Sequence, residues 1–190
     1  MPRHSTMLAL GTEAPKFALP DTFGTTRKLA EFAAAPLLLV AFICNHCPYV
    51  KHILDGFVQF AHEYGPKGVA VVAISSNDVE SHPQDAPAAM AQLAKDRRFG
   101  FPYLFDESQA VAKAYQAVCT PDFFLFDRGR RLVYRGQFDS SRPGSKTPVS
   151  GADMRVAVEA VLAGKSIPHL QVPSTGCGIK WKPGNAPDEM

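Results

Sequence analysis

Leu37-Leu38-Leu39-Val40-Ala41-Phe42-Ile43-Cys44-Asn45-His46-Cys47-Pro48-Tyr49-Val50 is the stretch that decides the fold. The unbroken apolar run 37–43 suits a strand buried on both faces. Beyond it Val50, Ile53, Leu54, Phe57, Ala61 and Tyr64 recur at helical spacing. The two cysteines therefore fall on a strand-to-helix turn, at the start of the helix. Unpaired backbone N–H groups and the helix dipole favour negative charge there. A thiol so placed ionises more readily, and the thiolate is the form that attacks disulfides and peroxides. Two cysteines separated by two residues can also close a disulfide within one turn. The arrangement suits reversible redox chemistry.

Outward from this centre the pattern stays that of an α/β domain. Gly65-Pro66-Lys67-Gly68 stops the helix, and 69–75 reads as a second buried strand. The polar stretch 77–88 reads as a loop, 87–95 as a helix and 103–105 as a short strand. Asp106-Glu107-Ser108 offers helix-start chemistry for a helix reaching Val118. Residues 123–126 and 132–138 flank Asp127-Arg128-Gly129-Arg130-Arg131 as a β-hairpin, and 152–163 reads as a last helix ended by Gly164. Before the centre, 11–36 is an irregular lead-in with a short hairpin around Pro20-Asp21 and Phe23-Gly24-Thr25. After Gly164 a Pro- and Gly-rich tail, 165–190, lacks any period and reads as wrapped on the surface or as a flexible end. The first two strands require a parallel crossover, so the expected architecture is a central mixed sheet flanked by helices. One domain over 1–164 with the tail 165–190 is the expected organisation.

Composition bounds the function. The chain has 190 residues, 46% of them hydrophobic, with a formal net charge of +2 and basic residues spread along its length. That leaves no footprint for nucleic acid or membrane binding. No apolar stretch is long enough to span a bilayer, and the N-terminus lacks the apolar core of a secretory signal, so a cytoplasmic, reducing location is expected for a complete chain. Four cysteines do not make a disulfide scaffold in a chain this long.

The chain resembles the thioredoxin-fold superfamily over roughly residues 11–164, and within it a peroxiredoxin-like (AhpC/TSA-type) redoxin subfamily with a Cys-x-x-Cys motif. The resemblance is carried by the Cys44–Cys47 pair and by Thr120-Pro121 just before the strand Asp122-Phe123-Phe124-Leu125-Phe126-Asp127. It is carried also by the lead-in Gly11-Thr12-Glu13-Ala14-Pro15-Lys16-Phe17-Ala18-Leu19, and by the string from Cys44 to Lys51 together with the tail Ser174-Thr175-Gly176-Cys177-Gly178-Ile179-Lys180-Trp181-Lys182-Pro183-Gly184-Asn185. It implies a thioredoxin-like fold with an N-terminal hairpin extension and a C-terminal tail, and a cis-proline at Pro121 beside the cysteine pair. Where thioredoxin has a buried aspartate and a tryptophan before the pair, this chain has Leu38 and Ile43. Where peroxiredoxins carry Pro-x-x-x-Thr/Ser-x-x-Cys, a peroxide-reactive Cys47 would put Val40 and Cys44 in the Pro and Thr positions. The arginine that peroxiredoxins place at the start of the strand near Pro121 is missing.

The leading expectation is a thiol–disulfide oxidoreductase. Cys44, normally the more exposed thiol of such a pair, attacks a disulfide and Cys47 resolves the mixed disulfide. His46, between them, would stabilise a thiolate if cationic. The Thr120 backbone before Pro121 would be free to pair with an extended substrate segment. The alternatives are an antioxidant thiol peroxidase, in which a sulfenic acid condenses with a second thiol, and a redox sensor or binding module. Inert core cysteines and half of a zinc site are the competing readings of the pair, but the sequence supplies no further ligands at a recognised spacing. Cys119 is either an extra redox partner or a small buried residue. Cys177 is either a resolving thiol or part of a packed tail anchored by Trp181, the single tryptophan. No cofactor or metal is implied. The expected partners are a protein or small-molecule disulfide, or peroxide, and a thiol reductant such as thioredoxin or glutathione.

Overall fold

The computed structural model describes residues 2–167 and 170–187. Its elements run β1 (Arg3–His4), β2 (Ala18–Pro20), β3 (Thr26–Lys28), β4 (Leu37–Phe42), α1 (Pro48–Tyr64), β5 (Val69–Ser75), α2 (Pro87–Asp96), β6 (Tyr103–Phe105), α3 (Ala110–Ala114), β7 (Cys119–Thr120), β8 (Asp122–Phe126), β9 (Leu132–Gly136), α4 (Ala152–Leu162) and β10 (Thr175–Gly178). Three short 3₁₀ turns lie between them.

The central sheet has the order β6-β5-β4-β8-β9. β4 pairs in parallel with β5, and β5 with β6, while β4–β8 and β8–β9 are antiparallel. β4 lies at the centre, and each of its six residues is buried, as its unbroken apolar run requires. Alternation along this strand separates two cores. Leu37, Leu39, Ala41 and Ile43 face α1 and α4, packing with Val50, Phe57, Phe60 and Met154. Leu38, Val40 and Phe42 face the opposite layer with Leu104, Tyr115, Phe124 and Phe126. Burying one such side chain contributes about 1.5–3 kcal/mol, so the two-sided core fixes the register of β4 and with it the position of the turn that follows.

Two elements differ from the sequence reading. The helix expected to reach Val118 stops at Ala114. Gln116 has φ +53°, outside helical backbone, and Val118 instead accepts a hydrogen bond from the Ile179 N–H at 3.0 Å. Over its described residues 170–187 the period-less tail is neither loose nor purely superficial. Its residues 175–178 form β10, the middle strand of a second sheet ordered β1-β10-β7. Ser174 is buried and gives its hydroxyl proton to the Gly136 carbonyl at 2.6 Å. Lys180 is held by Asn77 Oδ1 at its N–H and by Gln109 Nε2 and the Asp78 N–H at its carbonyl. Trp181 packs against the second core. These partners are far away in sequence, so no local period announces the strand. Among the described residues no helix is long and apolar enough to cross a membrane.

Candidate active site

β4 and α1 place the cysteine pair at the C-terminal end of the parallel strands, the end at which open α/β sheets bind ligands. Cys47 is the N-cap residue of α1, and Pro48 follows at the first helical position, where its missing N–H costs nothing. The Thr120-Pro121 peptide bond is cis, as the resemblance implied. It joins β7 to β8 and brings Thr120 onto both thiols. The Cys44 Sγ lies 3.4 Å from Thr120 Oγ1, and the Cys47 Sγ–H points to the Thr120 carbonyl at 3.2 Å.

Both sulfurs belong to fully buried residues, 0% exposed, so exposure does not single out Cys44 as the attacking thiol. Electrostatics separates them instead. Cys47 is pulled down to about 5, chiefly by the hydrogen bond from Cys44, against the penalty of burial. The Cys177 side chain and the N–H groups of Val50 and Cys177 add to that effect. Cys44 is pushed well above the thiol range because it gives its hydrogen to Cys47, because it is buried, and because the Asp85 charge is close. Loss of a proton from the dithiol is thus favoured at Cys47, which gives up its hydrogen bond to the Thr120 carbonyl and accepts one from Cys44.

Asp85 is the residue that the sequence reading missed. It lies in the polar loop after β5 and is fully buried. Its Oδ1 accepts the N–H groups of Asn45 at 2.7 Å and His46 at 3.1 Å. Its Oδ2 accepts Asn77 Nδ2 at 2.8 Å and meets His46 Nδ1 at 2.5 Å. One carboxylate thus clamps the whole Cys-x-x-Cys turn. The same His46 nitrogen lies 3.9 Å from the Cys44 Sγ, so its hydrogen faces the carboxylate more closely than the sulfur. His82 stacks on the His46 ring with centroids 4.9 Å apart, and Tyr103 donates its hydroxyl proton to Asn45 Oδ1 at 3.1 Å. The signal for this network in the sequence is slight: a polar loop leaving a buried strand at the end where the cysteines lie.

Cys44, His46 and Asp85 each place a potential metal-ligand atom within 4.8 Å of the others. Both oxygens of Asp85 are already engaged by four hydrogen bonds, which is the chemistry of a clamp rather than of an open ligand.

The remaining candidates divide. Cys119, on β7, is fully buried and its thiol is raised by burial and then by the Asp122 charge. Cys177 is half-buried and packs against the core that holds the pair. It stands directly opposite Thr120 in the β10–β7 register. This corrects the expectation of a free Thr120 edge: the chain's own tail occupies it. The backbones approach so closely that a Cβ on Gly176 would lie 1.9 Å from the Thr120 carbonyl oxygen. The cleft beside Pro121, lined by Tyr49, Gln137, Phe138 and Arg142, has a volume of about 10 Å³, room for one water at most.

A mixed sheet, a Cys-x-x-Cys turn at a helix N-terminus and a cis-proline whose preceding threonine touches both sulfurs define a thioredoxin-fold redoxin. The match of residues 10–135 to the model of the AhpC/TSA family places the chain in that family. Two solved structures are similar over nearly the whole length. An uncharacterised conserved protein from Geobacillus kaustophilus is 48% identical, with a TM-score of 0.95 and 97% of this chain and 98% of that chain covered. A hypothetical protein from Sinorhizobium meliloti 1021 is 54% identical, with a TM-score of 0.94 and coverage of 95% and 99%. A peroxidoxin from Mycobacterium tuberculosis shares the fold at 22% identity, with a TM-score of 0.62 and coverage of 83% and 98%. No curated protein matches the sequence.

Proposed function

We propose that the protein is a thiol–disulfide oxidoreductase whose Cys44 and Cys47 pass between dithiol and disulfide, with Cys47 as the attacking sulfur. One observation carries this reading: Cys47 caps α1 and Cys44 lies one turn before it, where its hydrogen bond lowers the Cys47 thiol, with both sulfurs in contact with Thr120 ahead of cis-Pro121. A Cys47 thiolate attacks one sulfur of a substrate disulfide and displaces the other as a thiolate. Cys44, giving up its proton, then attacks the Cys47 sulfur, closes the Cys44–Cys47 disulfide and releases the second substrate thiol. Thr120 and Pro121 hold the two sulfurs in place, and His46 and Asp85 fix the turn that carries them. An external thiol, glutathione or thioredoxin in kind, restores the dithiol.

Membership of the AhpC/TSA family favours peroxide reduction as a second reading. A Cys47 thiolate would attack a peroxide oxygen, becoming sulfenic acid as the second oxygen leaves as hydroxide or alkoxide. Cys44 would then condense with it, expelling water and forming the same disulfide. Against this reading, no arginine is among the hydrogen-bond partners of either sulfur within the described residues.

The experiment supplies reduced protein with oxidised glutathione or with hydrogen peroxide and follows thiol loss by stopped flow and the Cys44–Cys47 disulfide by mass mapping. Disulfide formation with glutathione, abolished in Cys47→Ser, is the expected result. Rapid loss with peroxide alone would move the assignment to the second reading. Full turnover in Cys47→Ser would overturn both.

A further inference from the structure

The redox pair is sealed. Cys44 and Cys47 are 0% exposed, the strand-docking edge at Thr120 is occupied by β10, and the cleft beside Pro121 holds one water at most. An oxidant the size of a peroxide needs little room. A disulfide substrate or a thiol reductant must bring a sulfur in line with one of the pair, and neither fully buried member offers that approach without movement of the turn. Of the four cysteines, three are fully buried and Cys177 alone is half-buried.

Cys177 is also the cysteine that reaches inward. β10 lays it opposite Thr120, whose carbonyl accepts the Cys47 thiol, and it packs within the same core cluster as Cys44 and Cys47. The Cys177 N–H and side chain both bear on the Cys47 sulfur. The flanking glycines make the placement possible: at Gly176 no side chain fits against the Thr120 carbonyl. β10 therefore sits where an extended substrate would pair, with a cysteine next to the reactive sulfur. Burial raises the Cys177 thiol to about 12 and the hydrogen bond and charge of Cys47 add to this, a contribution that disappears once Cys47 is in a disulfide; the charge of Lys180, two residues further on and half-buried, works in the opposite direction.

We propose that Cys177 is the exchange thiol of this enzyme, passing the disulfide from the buried Cys44–Cys47 pair to an outside thiol. The proposal rests on the thiol redox reading above and names the route by which the oxidised pair is reduced. In the first step a Cys177 thiolate attacks the Cys47 sulfur of the Cys44–Cys47 disulfide. The Cys47–Cys177 bond forms, the Cys44–Cys47 bond breaks, and Cys44 leaves as a thiolate that takes up a proton; no net oxidation occurs. In the second step an outside thiolate attacks the Cys177 sulfur, and Cys47 leaves. In the third step a second outside thiolate attacks the outer sulfur of the mixed disulfide and frees Cys177. Two outside thiols are oxidised to one disulfide, and one protein disulfide is reduced to two thiols.

The test uses reduced glutathione as the probe on full-length protein that has been oxidised with diamide, a general dithiol oxidant, and freed of excess oxidant. Re-reduction of the Cys44–Cys47 disulfide, timed by acid quench and mass mapping, is expected to slow at least tenfold in Cys177→Ser. The oxidation rate is timed in the same samples to register any change at Cys47. Wild-type protein quenched during re-reduction is expected to carry its glutathione adduct on Cys177. Oxidised Cys44→Ser is expected to contain a Cys47–Cys177 disulfide. A Cys177→Ser re-reduction rate equal to wild type, or a wild-type adduct confined to Cys44 or Cys47, overturns the exchange role. If the wild-type protein never forms the Cys44–Cys47 disulfide, the failure is that of the redox reading itself.

Discussion

Alanine in place of Gly176 is the sharpest perturbation the structure offers. The added Cβ would stand 1.9 Å from the Thr120 carbonyl oxygen, 2.5 Å from its carbon and 3.1 Å from the Pro121 nitrogen, all backbone atoms. An ordinary carbon–oxygen contact is about 3.3 Å, so β10 and β7 must separate by more than ~1 Å. Hydrogen bonds stretched by that amount no longer qualify as such. The cost combines overpacking, about 1–3 kcal/mol, with about two backbone hydrogen bonds at about 1 kcal/mol each. A loss of about 3–5 kcal/mol lowers the melting temperature by about 6–20 °C in a chain of this size. The separation also withdraws the Cys177 side chain and N–H from Cys47, so the Cys47 thiolate should titrate above its value of about 5. Thermal melting by circular dichroism reads the first effect, and thiolate absorbance near 240 nm against pH reads the second. Gly178→Ala is the matched control. Its Cβ would meet only the Arg3 side chain, nearest atom 3.4 Å, and both readouts should stay near wild type. A Gly176→Ala protein with an unchanged melt and an unchanged thiolate midpoint would show that β10 does not lie on Thr120, and the exchange role of Cys177 would lose its geometry.

Two further predictions concern buried acids. Asp85→Asn keeps an acceptor for the Asn45 and His46 N–H groups but turns a donor toward Asn77 and removes the charge. Urea denaturation should show a loss of about 2 kcal/mol, and Cys44, whose thiol the Asp85 charge raises, should alkylate at lower pH; unchanged Cys44 reactivity would refute the electrostatic role. Asp122 is fully buried, with its Oδ2 unpartnered, and burial raises its carboxyl from 3.8 to about 7. The native state then binds a proton that the unfolded chain has released. The Asp122 contribution to stability is complete below about pH 4 and is lost as pH rises through about 7, a difference of about 4 kcal/mol. Asp122→Asn should abolish that slope between about pH 4 and pH 7 in urea titrations, and an identical slope would place the proton elsewhere.

The sequence by itself determined the centre of the molecule. An apolar run on β4 that buries both faces leaves one place for the cysteine pair, and helical spacing from Val50 to Tyr64 sets α1 directly behind it. Both signals are local periods, and local periods are written in the chain. Tertiary structure alone brought Cys177 onto Cys47, where its side chain and N–H add to the lowering of that thiol. It alone buried Asp85 beneath a loop and closed the Thr120 edge with residues 175–178. The bonds from Asp85 to Asn45 and His46 span 40 and 39 residues, and the β10–β7 pairing spans more, and a hydrogen bond across such a distance leaves no period in the sequence to read.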